Sequence, residues 1–487
     1  MSATQNPNPH SKVNIFADFR SCINGALTTS AQTRHATNPA TGQPNEPVPV
    51  ATPEDVDAAM IAAQTAFTTW RKAPYQTRQT ALRQYIDLVQ AHAEDLITLL
   101  TKEQGKPLQF ATIEFNSAIK CMKAFADLQL TEQVVQEDDE TRIMCRYTPL
   151  GVSVGIVPWN FPLLLACIKL APATLAGNAI IIKPSPFTPY CGLKLVELAQ
   201  QCFPPGVMQA LSGDDNLGPW LTAHPIPEKI SFTGSTATGK KVLQAAAATM
   251  KRVTLECGGN DPAIVCADVD IEETAKKVGH FCFLNSGQIC LAVKRIYVHA
   301  SIHAPFRDAM VRFVQGLKIG NGLDEGVFMG PVQNSMQYER VRGFFNDSDK
   351  ENWSVAVGGQ IPKGEGEGEG YFVAPTLIDN PPEESRIVQE EPFGPIVPLL
   401  VWSDEDDVVA RANDSRMGLG ASVWSRDLDQ AGRLARRIEA GSVWVNTHYQ
   451  LQPAVPYGGH KESGIGLEAG LGGLLAFCNA QYLHLKK

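Results

Sequence analysis

The 487-residue chain has no uncharged apolar run approaching the roughly 18 residues that a membrane span requires. Its N-terminus, Met-Ser-Ala-Thr-Gln-Asn-Pro-Asn-Pro-His, has no apolar core of the kind a secretory signal carries. No basic patch is visible, and the formal net charge is -9, which argues against nucleic acid as the main partner because phosphate binding draws on clustered Lys and Arg. Eleven cysteines include no Cys-x-x-Cys pair, so a structural zinc site is not expected. A Gly-x-Gly-x-x-Gly fingerprint is also missing. These absences leave a reduced, cytoplasmic, soluble protein that binds small molecules, without metal, membrane or nucleic acid. The length exceeds what one hydrophobic core holds, so two or three domains are expected.

What is present has a clear rhythm. Thr52-Pro-Glu-Asp opens a helix with Thr52 as its cap, and Val56, Met60, Ala63, Phe67 and Trp70 form its apolar stripe. A second helix is predicted over Gln76 to Lys102, stopped by Gly105 and Pro107, and a third over Gln109 to Leu130. Polar and apolar residues alternate over Thr141 to Tyr147, an exposed strand whose edge suits subunit pairing, with Gln481 to Leu485 as its expected partner.

From Gly151 onward, strands at Val152 to Val157, Ala179 to Lys183, Val207 to Leu211 and Lys229 to Phe232 alternate with helices. Those helices are Leu163 to Ala176, Tyr190 to Gln201 and Gly239 to Ala248. The pattern predicts a doubly wound α/β dinucleotide fold, with ligands outside the carboxyl ends of the strands. A second α/β series runs from Asp261 to about Pro456, interrupted by the acidic loop Lys363 to Gly370.

Four stretches carry chemistry. Phe283-Leu-Asn-Ser-Gly-Gln-Ile-Cys-Leu-Ala-Val293 places Cys290 between a helix (Ile271 to Leu284) and a strand (Arg295 to His299), with Gly287 allowing close approach to a ligand. Taken alone, Cys290 reads more readily as a small buried hydrophobe, and only the other stretches change that. Phe232-Thr-Gly-Ser-Thr-Ala-Thr-Gly239 follows a strand and opens a helix, which suits a phosphate, although Lys241 stands where a triphosphate loop needs a hydroxyl. In Val157-Pro-Trp-Asn-Phe-Pro162 the prolines fix the backbone on either side of Asn160, so that its amide can be aimed at an oxyanion. Glu256, in Leu255-Glu-Cys-Gly-Gly-Asn260, reads either as a solvated strand end or as a base whose pKa partial burial would raise.

These pieces, with Lys183-Pro-Ser, Glu390-Glu-Pro-Phe-Gly-Pro395 and Trp444-Val-Asn446, resemble the aldehyde dehydrogenase superfamily from about Asn38 onward. The resemblance implies a non-acylating, NAD(P)-dependent oxidation. Cys290 would be the nucleophile and Glu256 the general base, with Asn160 and the Cys290 N-H as the oxyanion hole. Lys183 and Glu391 would hold the cofactor riboses, Trp159 and Ser235 the pyrophosphate, and Phe393 the nicotinamide end. Gly218 and Thr238 match the adenine side, and Ile156, Ser185, Phe232 and Gly234 complete the cofactor positions. It also implies a division into a cofactor domain (1-125 and 150-258), a catalytic domain (259-456) and a bridging element (126-149 and 468-487) serving a homodimer or homotetramer.

Two positions depart from the family pattern. Pro186 replaces a glutamate common in NAD-preferring members, so NADP is expected to be a second acceptor; Asn260 stands where many members carry lysine. The positions aligned with the family's substrate tunnel are Phe161, Leu165, Ile168, Leu284, Ile289, Leu291, Tyr449, Leu451 and Tyr457. None is cationic, which favours an aliphatic or aromatic aldehyde over a dicarboxylic semialdehyde.

Overall fold

The computed structural model describes residues 13-360 and 370-487, so most of the acidic loop lies outside the described residues. Its organising element is an eight-stranded sheet with five parallel strands at its centre: Met208–Ala210, Ala179–Lys183, Val152–Ile156, Lys229–Thr233 and Arg252–Glu256 in spatial order. The first four of these strands are buried along their whole length because both faces are covered. In Ala179–Lys183, Ile180 and Ile182 face a cluster built on the helices Tyr75–Ala91, Leu108–Asp127 and Pro162–Ala176, whereas Ala179 and Ile181 face Met60, Ala63 and Leu221. This is the doubly wound arrangement that the alternating pattern predicts.

The second sheet has seven strands, six of them in a parallel run that includes Ile396–Trp402, Val293–His299, Asp261–Val265 and Gly420–Trp424. It too is covered on both sides, with Ile264 and Tyr297 in one cluster and Ala263, Val265 and Ile296 in another. A third, three-stranded sheet pairs Cys478–Lys486 with Thr141–Pro149 and then Gln133–Glu137, all antiparallel. The expected pairing of the Thr141 strand with the chain's last strand is therefore present, in a longer register.

Some boundaries moved. The long second helix is two helices, Tyr75–Ala91 and Ala93–Gln104, broken at His92 (φ -109°, ψ 24°) although no Gly or Pro marks the site. The helix expected at Gly239 begins at Thr236, because Ser235 caps it. Helix Pro53–Trp70 starts as expected and gains a reciprocal bond: Thr52 accepts from the Asp55 N-H, and the Asp55 carboxylate accepts from the Thr52 N-H.

The connection between the two large sheets positions the site. Glu256 ends the last parallel strand of the first sheet and Asp261 begins a central strand of the second, so only Cys257-Gly258-Gly259-Asn260 separates these two strands along the chain. The carboxyl ends of one set of strands thus face the beginnings of the other.

Candidate active site

Cys290 emerges from a strained turn. Asn285, Ser286 and Gly287 follow helix Ile271–Phe283 with φ of 52°, 57° and 70°, three left-handed residues in a row. Hydrogen bonds compensate: Ser286 Oγ donates to the Gly330 carbonyl (2.8 Å), Gln288 Nε2 to the Asn285 carbonyl (3.0 Å), and the Gln333 N-H to Gln288 Oε1 (2.9 Å). Gly287 serves a different purpose from the one its sequence suggests. A Cβ there would overlap the Gly394 carbonyl, so the close approach is to the Glu-Pro-Phe-Gly-Pro segment rather than to a ligand. Gly287→Ala should therefore cost about 3 kcal/mol of stability through strain and overlap, read as a lowered denaturation midpoint.

Asn160 reaches the same turn from the first sheet. It is buried, and its Nδ2 donates to the Gln288 carbonyl at 3.0 Å, which leaves one amide hydrogen for a ligand. Its backbone carbonyl accepts from Lys106 Nζ (2.8 Å) and Asn285 Nδ2 (3.3 Å). Lys106 is ion-paired with Glu114, both fully buried, and Glu114 Oε1 accepts the N-H groups of Leu163 and Leu164 (3.0 and 3.1 Å). Sequence reasoning left Lys106 and Glu114 without chemistry. The available signal was a carboxylate at position 114, inside the stripe Ala111, Phe115, Ala118.

Glu256 is not a solvated strand end. It is 4% exposed, its Oε1 has no hydrogen-bond partner among the described residues, and burial lifts its pKa well above the carboxylate range. The negative charge of Glu468 adds to the rise, and Lys169 opposes it. Lys169, the one charge in the apolar helix Pro162–Ala176, donates to Glu468 Oε1 (2.6 Å), Thr233 Oγ1 (2.8 Å) and Ser231 Oγ (3.2 Å), and the Tyr457 hydroxyl donates to Glu468 Oε2 (3.3 Å). This buried polar chain beside Glu256 was also missed, apart from Tyr457.

The thiol and the two sheet ends are electrostatically joined. Burial pushes the Cys290 pKa up to about 12, Lys294 pulls it down, and Glu391, Asp261 and Glu256 push it further up. Residues 160, 256 and 290 thus converge, through the Gln288 carbonyl on one side and the charge of Glu256 on the other.

Three strand-to-helix turns open toward this cleft, and two are closed by carboxylates. Glu114 caps Leu163 and Leu164, and Glu103 accepts from the Tyr190 and Cys191 N-H groups (2.9 and 3.1 Å). The third, at Thr236–Ala247, is capped by its own Ser235, whose Oγ accepts from the Thr238 N-H (3.3 Å), and no carboxylate among the described residues occupies it. That turn retains an exposed, positively polarised end able to hold an anion. The Gly234 N-H donates to the Glu256 carbonyl (3.0 Å), tying this turn to the end of the Glu256 strand, while Phe232 and Ile156 lie in the core beneath it.

Lys183 Nζ has no hydrogen bond or ion pair among the described residues, and burial lowers its pKa to about 8. Gly218 lies against it, a built Cβ coming 3.7 Å from Lys183 Cε. Ser185 Oγ accepts from the Phe187 N-H (3.2 Å) and so shapes the neighbouring loop. Glu391 Oε1 pairs with Lys294 Nζ at 2.7 Å and accepts from the Gly259 N-H at 3.3 Å. A side chain at Gly258 would collide with the other oxygen of Glu391, so the Gly-Gly pair makes room for that carboxylate. Phe393 (φ 52°) stands edge-on to Trp159, centroids 5.3 Å apart.

Around the thiol, Ile289, Leu291, Ala292 and Leu419 form an apolar cluster, with Phe161, Leu284, Trp444 and Tyr449 packed on it. Ile168 is a buried member of the helical core of the first sheet, with Leu165 and Phe161 packed against it, and Leu451 is 37% exposed. Trp444, Ala292 and Leu419 are the additions to the expected lining.

The aldehyde dehydrogenase family pattern matches residues 27-483, nearly the whole chain. The chain belongs to the aldehyde dehydrogenase family. An aldehyde dehydrogenase of a Fusarium species, LUC3, is 42% identical over 97% of this chain and 100% of its own length. The mitochondrial aldehyde dehydrogenase of Leishmania tarentolae is 37% identical over 92% and 91%. Among solved structures, the NAD+ complex of Bacillus cereus aldehyde dehydrogenase superposes with a TM-score of 0.93 at 32% identity, covering 96% of each chain. The betaine aldehyde dehydrogenase of Staphylococcus aureus with NAD+ gives 0.92 at 32%, covering 96% of this chain and 94% of its own. No described helix is long and apolar enough to cross a membrane.

Proposed function

We propose that this family member oxidises an aliphatic or aromatic aldehyde to the carboxylic acid with NAD+ and water, through a thioester on Cys290. The observation that carries the reading is the meeting of Asn160, Glu256 and Cys290 in one cleft. Cys290 Sγ bonds to the aldehyde carbon, and the carbonyl oxygen becomes an oxyanion held by the free Asn160 amide hydrogen and the Cys290 N-H. Nicotinamide, when bound, accepts the hydride that the carbon gives up. Loss of that hydride leaves the thioester on Cys290. Glu256, as carboxylate, takes a proton from water, whose oxygen displaces the sulfur and releases the acid. The net change is RCHO + NAD+ + H2O to RCOO-, NADH and two protons.

The residues fit the cofactor. Lys183, unpartnered and facing a glycine, and the carboxylate Glu391 suit the ribose hydroxyls; the Ser235 turn suits the diphosphate; Phe393 and Trp159 suit the nicotinamide end. Pro186 brings no charge to repel a 2'-phosphate, so NADP is read as a weaker second acceptor. The eight-stranded sheet is assigned to cofactor binding and the seven-stranded sheet to catalysis. The three-stranded sheet, with Val135 58% and Tyr482 57% exposed, is assigned to homo-oligomer assembly. All eleven cysteines are free, which suits a reducing compartment, read here as the cytoplasm.

A panel of aliphatic, aromatic and dicarboxylic aldehydes, each assayed for NADH and NADPH formation without coenzyme A, tests the reading. Dependence on coenzyme A would replace hydrolysis by acyl transfer, and the highest kcat/KM on succinic semialdehyde would overturn the substrate class. In the same assay Asn160→Ala should lower kcat by roughly a hundredfold, about 3 kcal/mol of lost oxyanion stabilisation.

A further inference from the structure

Lys294 has no role in the reaction derived above, yet it contacts both the Cys290 backbone and the Glu391 carboxylate. It is 4% exposed in its side chain and sits at the start of strand Val293–His299. Its Nζ donates to the Cys290 carbonyl (2.8 Å) and the Gly259 carbonyl (3.2 Å), and it pairs with Glu391 Oε1 (2.7 Å). The ammonium also lies 5.8 Å from the centre of the Phe393 ring. One group therefore holds the nucleophile's own backbone, the Gly-Gly link that follows the base, and a carboxylate assigned to the cofactor riboses. Asn260 brings no charge to this point, because its Nδ2 donates to the Val388 carbonyl (2.8 Å).

We propose that Lys294 is a positioning residue that fixes the Cys290 loop against Glu391 and supplies the positive charge favouring the Cys290 thiolate. The inference rests on Cys290 being the nucleophile. Against the burial that raises the thiol pKa, Lys294 lowers it, while Glu391, Asp261 and Glu256 raise it further. The other titratable groups around it are Tyr449, Tyr457 and His448, each held in its neutral form by burial. Glu391 partly neutralises Lys294. A ribose hydroxyl donating to Glu391 would compete for that carboxylate, leaving more of the ammonium's field for the sulfur. Cofactor binding and thiol activation are coupled by this one ion pair.

The test is the pH dependence of Cys290 alkylation by iodoacetamide in the full-length protein, with the Cys290→Ala variant as blank. For Lys294→Met the alkylation midpoint should move up by about one unit or more, with alkylation near neutrality slowed roughly tenfold, and Lys294→Arg should recover most of the rate. Glu391→Gln should move the midpoint the other way, and Lys294→Gln, a neutral polar replacement expected to shift the midpoint up like Lys294→Met, decides the question if Lys294→Met does not fold. Coincident profiles for wild type and Lys294→Met, or an unmoved midpoint in Glu391→Gln, overturn the proposal. Full NADH formation by Cys290→Ala would instead overturn the nucleophile assignment itself.

Discussion

Replacing Cys290 with alanine should abolish aldehyde-dependent NADH formation, a loss of at least about 10⁴-fold in kcat, while NAD+ binding measured by fluorescence or calorimetry stays near the wild-type level. The size follows from chemistry that no neighbour can supply. Hydride loss from a free aldehyde hydrate is unassisted, whereas in the proposed reaction hydride loss from an adduct on Cys290 would be driven by collapse of an oxyanion held by Asn160 and the Cys290 N-H. None of the other ten cysteines can stand in. Cys257 is nearest along the chain to the site but is buried, with its sulfur against Gly239, and burial lifts its pKa to about 11. Cys290→Ser tests the same point with a nearly isosteric group, since an alkoxide is far harder to generate than a thiolate. Substantial turnover by either variant would remove the thioester from the reaction.

Glu256→Gln separates the two halves of the reaction. The amide cannot take a proton from water, so the acyl group should stay on Cys290. Rapid mixing should then show a burst of NADH near one equivalent per site, followed by turnover slowed about 10²- to 10⁴-fold. The pH profile carries the sign. Burial raises the Glu256 pKa, so the protonated acid dominates at low pH and only the carboxylate acts as base. Wild-type kcat should therefore rise with pH as Glu256 ionises, and that limb should vanish in Glu256→Gln. A wild-type kcat that falls over the same interval would show that the protonated form is the active one.

The parallel strands were legible because their residues are buried on both faces: Ala179-Ile-Ile-Ile-Lys183 admits hardly any other reading, and its predicted bounds match those found. The site motifs were legible because each is local, a few residues whose backbone and side chain act together. What escaped was pairing across distance. Lys169 and Glu468 are separated by 299 positions, and nothing near either residue announces the other. Lys106 and Glu114 lie on a helix and the turn before it, where amphipathic patterning treats charge as solvent-facing; here Glu114 points inward to receive Leu163 and Leu164. The break at His92 escaped for a different reason, since the chain turns there without the residues that usually mark a turn. Gly287 was singled out correctly as a close approach but given the wrong neighbour, because Gly394 arrives from another part of the chain.

The short span from Cys257 to Asn260 has a mechanical consequence. With the base at one end and a central strand of the other sheet at the other, no slack separates the layers, and a Cβ at Gly259 would come 2.6 Å from the Cys290 carbonyl. Rocking one layer against the other would pull Glu256 away from Cys290, so the short link holds the carboxylate and the sulfur at a fixed separation.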